Sequence, residues 1–149
     1  MWTSATMMSV RETAMIPEEA RFSPYAEEEW ALTPEPHKAF KELIRQSRTW
    51  VVYYEGRPVC MVGVLRLSLV GSATRVWMVA FSSFRVLYSR LVRFLRRGVR
   101  KLHRTCGSLS LVVHVDYRAN SRFAEFLGFK REGQVFYQNG AKLQTFFLR

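Results

Sequence analysis

Arg75-Val76-Trp77-Met78-Val79-Ala80, a basic segment running to about Arg104, Ser110-Leu111-Val112-Val113-His114-Val115, and then Leu127-Gly128-Phe129 form the stretch that decides the fold. The first and third pieces are short apolar runs rich in β-branched residues, which predict strands. Between them Leu87, Leu91, Phe94, Leu95, Val99 and Leu102 recur at helical spacing, which predicts a long amphipathic helix. A shorter helix is expected before Leu127-Gly128-Phe129, ended by the glycine in a left-handed cap. Strand, helix, strand, helix is a parallel βαβ unit with a further helix laid on the sheet.

Upstream, a first strand is expected around Ala5 to Val10. Ile16-Pro17-Glu18-Glu19 reads as a helix start, with proline in the first turn and acids at the positive end of the dipole. Phe22, Tyr25, Ala26 and Trp30 keep rough helical spacing behind it. Thr33-Pro34-Glu35-Pro36 breaks that helix and starts another, His37 to Ser47, with Phe40, Leu43 and Ile44 on one face. Thr49 to Tyr54 and Val59 to Leu69 predict a hairpin around the turn Glu55-Gly56-Arg57-Pro58. Val70-Gly71-Ser72-Ala73-Thr74 is the next turn. Downstream, Gln134 to Tyr137 and Leu143 to Leu148 flank Gln138-Asn139-Gly140, a strong hairpin signal. The expectation is one α/β (α+β) domain over residues 1–149. It has a mixed, centrally parallel sheet of six to seven strands, flanked by about four helices.

A hydrophobic content of 48% argues for a folded core. No uncharged apolar run reaches about 18 residues, so no membrane span is expected. Met1-Trp2-Thr3-Ser4 lacks a basic region followed by an apolar one, so no signal peptide is expected. Cys60 and Cys106 are two lone cysteines without CxxC spacing. They read as reduced structural thiols in an intracellular setting, with no metal site. His103 and His114 read as structural, and His37 as exposed.

The charge is placed unevenly. Residues 1–55 carry a net −3, residues 56–149 a net +14, and no acid occurs between Glu55 and Asp116. Arg90, Arg93, Arg96, Arg97, Arg100, Lys101 and Arg104 cover the faces of the long helix that the apolar stripe leaves free. A solvated helix face is the plain alternative, but no acid is placed for i, i+4 pairing. Seven cations repel one another unless an anion lies against them, so this helix is read as a polyanion-binding face.

The element order, and the last helix Asn120-Ser121-Arg122-Phe123-Ala124-Glu125-Phe126-Leu127-Gly128-Phe129, resemble the GNAT (GCN5-related N-acetyltransferase) superfamily over nearly the whole chain. The resemblance implies an acetyl-CoA pyrophosphate site at the start of the helix after strand four, on Arg/Gln-x-x-Gly-x-Gly/Ala. The matching segment is Arg85-Val86-Leu87-Tyr88-Ser89-Arg90. Arg85 fits, but Tyr88 and Arg90 replace the glycines that let backbone N–H groups approach phosphate. The family's tyrosine acid, four residues before the helix-ending glycine, falls on Ala124, and Tyr117 lies earlier. The family's glutamate base near strand four has no match within Val76 to Ala80, and Glu55 is the nearest acid upstream.

These departures point to a GNAT scaffold with no catalytic residue, no cofactor and no metal. Strand four to the last helix also resembles small internal virion or virion-assembly proteins of short-tailed phages. The shared features are Trp77-Met78-Val79, a basic helix without the glycine signature, and Arg122-Phe123. That resemblance implies a protein of the virion or host cytoplasm. Its basic helix would meet DNA phosphates or an acidic phage structural partner. The alternative is an acetyl-CoA-dependent N-acetyltransferase of unknown amine substrate, with Arg85, Tyr88, Ser89 and Arg90 at the CoA phosphates. Tyr117 or Glu55 would then move the proton. Four tryptophans and eleven phenylalanines also leave room for a homo-oligomer.

Overall fold

Apolar residues at strand and helix spacing form the elements of this chain. The computed structural model describes residues 8–24, 26–27, 33–65, 73–84 and 88–149, with the backbone alone at residue 88. The chain divides into a first unit of residues 1–66 with 77–87, and a second of residues 67–76 with 88–149.

The first unit contains β1 (Met8–Glu12), α1 (Pro36–Arg45), β2 (Ser47–Tyr54), β3 (Arg57–Leu65) and the last part of β4 (Thr74–Ala80). β1 runs antiparallel to β2, and β2 antiparallel to β3 across the tight Glu55-Gly56 turn. α1 starts on Pro36, whose fixed φ suits a first helical turn. It buries Phe40 and Ile44, as their spacing predicts. These side chains join Ala26, Val51, Met61, Val79 and Phe81 in one core. Phe40 meets the Trp77 ring edge-on at 5.6 Å. The Trp77 indole N–H donates to Ser47 Oγ at 2.9 Å. The indole lies so close to Gly63 that a Cβ there would collide with it.

The expected helix begins later than Ile16: Pro24, Ala26 and Glu27 are helical, whereas residues 17–20 form a turn, closed by the Ala20 N–H donating to Pro17 O at 3.1 Å. The cause is tertiary. The Ser23 N–H donates to Ala80 O, the Ser82 N–H donates to Arg21 O, and Phe22 bridges to Phe81. Those bonds hold residues 21–23 extended and outweigh local helix signals of a few tenths of a kcal/mol to about 1 kcal/mol.

The second unit contains the first part of β4, α2 (Tyr88–Cys106), β5 (Leu109–His114), α3 (Arg118–Phe126), β6 (Lys130–Arg131), β7 (Phe136–Gln138) and β8 (Ala141–Leu148). Thr74, Arg75 and Val76 pair parallel with Leu109, Ser110 and Leu111, which is the expected βαβ arrangement. β5 pairs antiparallel with β8, and β8 with both β6 and β7. β6 was not expected, because two residues carry no periodicity. Asn139-Gly140 turns β7 into β8, both residues at positive φ. α3 ends at Gly128, φ 106°, with the Phe129 N–H donating to Ala124 O. Glycine reaches that φ without a Cβ penalty.

α2 buries Leu91, Leu95 and also Val92, which lies outside the expected stripe, whereas Phe94, Val99 and Leu102 are half-buried. Residues 5–7, 25, 30, 66–72 and 85–87, on which parts of the sequence reading fall, lie outside the described residues. The architecture is a mixed α+β fold, with eight strands and three named helices among the described residues. No described helix is long and apolar enough to cross a membrane.

Candidate polyanion-binding site

α2 turns its sequence pattern into a surface. At about 100° per residue, Leu91, Leu95, Val99 and Leu102 fall within one third of the circumference. The seven cations from Arg90 to Arg104 occupy an arc on the opposite side. All are exposed except Arg96, which is half-buried. They span about 21 Å of helix, roughly one charge per 3 Å, close to the phosphate spacing of a nucleic-acid strand.

Eight pairs among the seven stand at i, i+3 or i, i+4. At about 0.2–0.5 kcal/mol each, their repulsion is worth roughly 2–4 kcal/mol before salt screens it. Among the described residues, no ion pair in the second unit offsets it. That unit holds fourteen bases and three acids. Glu125 pairs with Arg131 at 3.4 Å and Glu132 with Arg149 at 2.8 Å. Among the described residues, no carboxylate forms an ion pair with an α2 cation.

One edge of this face is concave. Arg96, Arg100, His103 and Arg104 line a cleft of about 320 Å³ together with Leu127, Gly128 and Leu148. The Arg96 guanidinium lies 5.3 Å from the centroid of the Phe126 ring. A second hollow, by Glu125, Gly128, Phe129, Lys130 and Arg131, contains its own ion pair.

The other sequence-predicted site residues belong to different elements. Arg85 lies outside the described residues, and Tyr88 opens α2. Ser89 and Arg90 are exposed in its first turn. Glu55 is exposed at the tip of the β2–β3 turn, at φ 49°. Tyr117 stands at the N-cap position of α3, half-buried. Its N–H donates to His114 O at 3.2 Å, and its ring centroid is 4.7 Å from that of His114. Among the described residues, both buried His114 ring nitrogens lack a hydrogen-bond partner, as does Ser121 Oγ. Sequence reasoning missed this orphaned imidazole, since a histidine ending a strand gives no signal of what surrounds it. It also missed that His103 lines the cleft.

Two further groups are set by burial. The half-buried Arg75 guanidinium is held below its usual pKa by desolvation, and its Nε–H donates to Ser110 Oγ at 3.1 Å. Complete burial pushes the Cys60 thiol far above its ordinary pKa, whereas Cys106 is exposed. Among the described residues no three His, Cys, Asp or Glu side chains converge as metal ligands.

No protein-family model matches the chain, and no curated protein sequence matches it. Solved structures do. A spermidine N-acetyltransferase from Vibrio cholerae in complex with CoA and spermine superposes with a TM-score of 0.66 at 12% identity, covering 96% of this chain and 95% of that one. That enzyme also has a dodecameric structure. A GNAT family acetyltransferase from Elizabethkingia anophelis with acetyl-CoA bound gives 0.64 at 11% identity, covering 95% of this chain and 97% of that one. IAA acetyltransferase from Bacillus cereus ATCC 14579 gives 0.60 at 13% identity, covering 95% and 98%. Identities this low establish the fold and nothing finer, and over nearly its whole length the chain has the fold of the GNAT acetyltransferases.

Proposed function

We propose that the chain uses a GNAT scaffold, as one domain over residues 1–149, to bind a phosphate-rich polyanion through α2 rather than to transfer an acetyl group. The carrying observation is the set of seven α2 cations that no described carboxylate pairs with. The ligand class is a phosphodiester backbone, bound without reading sequence, since arginine forks match phosphate oxygens and a helix face alone reads no base. The biological setting proposed is a phage virion or its assembly, in the particle or the host cytoplasm, with DNA or an acidic structural partner on α2. That setting rests on the sequence resemblance, and the structural neighbours lend it no support.

The neighbours instead favour a second reading, an acetyl-CoA-dependent N-acetyltransferase, because the similar structures are acetyltransferases and two contain CoA or acetyl-CoA. In that reading Tyr117, packed on the orphaned His114 ring, is the proton-transfer candidate. The segment Arg85 to Arg90 does not supply the glycine cradle for a pyrophosphate, so no transfer step is assigned. A basic amine substrate would also meet repulsion from this cationic unit.

Calorimetric titration of acetyl-CoA, CoA and a simple polyphosphate at moderate salt separates the two readings. The proposal expects CoA to bind no more tightly than ADP, the nucleotide it contains, titrated alongside it. Micromolar binding specific to CoA, matched by neither ADP nor polyphosphate, would overturn it and favour the enzyme reading.

A further inference from the structure

The cationic face of α2 is not uniform, and its edge beside α3 is built differently from its middle. Arg96, Arg100, His103 and Arg104 stand at i, i+4, i+7 and i+8, which stacks them along one strip of the helix. They make a cationic wall to the cleft of about 320 Å³, and Leu127 and Leu148 give it an apolar floor. Gly128 completes the rim without a side chain, and a Cβ there would touch only Leu148 Cδ1, at 3.6 Å. No carboxylate lines it. Phe126, 45% exposed, carries the Arg96 guanidinium over its ring.

A bare inorganic anion would use only the wall. A ligand that uses all of the cleft needs a phosphoryl group for the guanidinium forks and a flat, weakly polar group for the leucines. The volume lies at the lower end of the range for small-ligand sites, about 300–1,000 Å³.

We infer that this cleft is a discrete nucleotide site, taking the phosphoryl group on Arg96, Arg100, His103 and Arg104 and the base against Leu127 and Leu148. The inference rests on the polyanion reading of α2 and narrows it. Arg93 and Arg97, outside the cleft, follow a phosphate chain, whereas the cleft holds one nucleotide unit, either free or at a strand end. Its rim combines apolar residues with cations, which the middle of the face does not.

The test titrates ADP, adenosine and inorganic pyrophosphate into the full chain and into two variants, R96Q/H103Q in the cleft and R93Q/R97Q outside it. ADP is expected to bind at least about tenfold more tightly than either fragment, since it alone engages both wall and floor. R96Q/H103Q should weaken ADP about tenfold or more, and R93Q/R97Q should leave it within about threefold while weakening DNA. A short oligodeoxynucleotide with a 5′-phosphate, compared with its 5′-hydroxyl form, assigns the source. Preference for the phosphorylated end indicates a strand terminus, and no preference with ADP binding retained indicates a free nucleotide. Pyrophosphate binding as tightly as ADP would overturn the inference, as would ADP binding unchanged by R96Q/H103Q. Both variants are melted first, and His103→Gln alone repeats the cleft arm if the double variant is unfolded. Loss of DNA binding in R93Q/R97Q with no ADP binding anywhere would sink the nucleotide site and leave the polyanion face standing.

Discussion

The two units handle charge in opposite ways. The first holds nine acids and nine bases. It ties several together locally: Glu12 with Arg48 at 2.6 Å, Glu35 with Lys38 at 3.7 Å, and Glu42 with Arg45. The Arg45 and Gln46 hydrogen bonds lower the Glu42 carboxyl to about 2. The second unit carries the whole +11 of the chain, and its α2 cations lie apart from its two paired acids. Exposed ion pairs stabilise little, so the first unit depends on its aromatic core and its salt bridges only prevent repulsion. The second unit retains about 2–4 kcal/mol of repulsion along one helix. A surface kept in that state is suited to an anionic ligand that relieves it.

The largest effects that test this contrast are on stability. Phe40→Ala, at a fully buried position of the first core, should cost about 3–5 kcal/mol in urea melts. R93Q/R97Q/R100Q/R104Q should cost nothing at high salt and raise the melting temperature at low salt, because glutamine keeps helix propensity while removing repulsion. If the arginine variant melts lower at every salt, α2 charges stabilise the second unit through contacts of their own, and the contrast fails.

The parts that were legible in the sequence are those set by short-range rules. Phe40 and Ile44 on α1, the turns at Glu55-Gly56 and Asn139-Gly140, the β4–α2–β5 unit and the Gly128 cap follow from periodicity and backbone preference. The failures come from long-range pairing. Residues 16–23 carry helix signals, yet Ser23 and Phe22 are claimed by Ala80 and Phe81, some sixty positions on. The cationic face was readable because one helix contains it. The cleft was not, since its floor comes from Leu127 and Leu148, which only the fold brings to Arg96 and His103.

A smaller effect sharpens the same comparison through the thiols. Cys106, exposed in the second unit, should react with an aromatic disulfide reagent in the native protein. Cys60, buried in the first and with its thiol pKa raised, should react only on unfolding. Two native thiols reacting at equal rates would mean that the first core opens as readily as the surface of the second.

The most direct measurement is the affinity of a short DNA duplex across a series of salt concentrations, for the wild-type chain and for R93Q/R97Q/R100Q/R104Q. With about four phosphate contacts on those arginines, log affinity should fall against log salt with a slope of about −3 to −4. The variant should lose about two decades of affinity at low salt together with most of that slope. A wild-type affinity that stays flat with salt, or a variant that binds as the wild type does, would contradict the assignment of α2 as a polyanion-binding face.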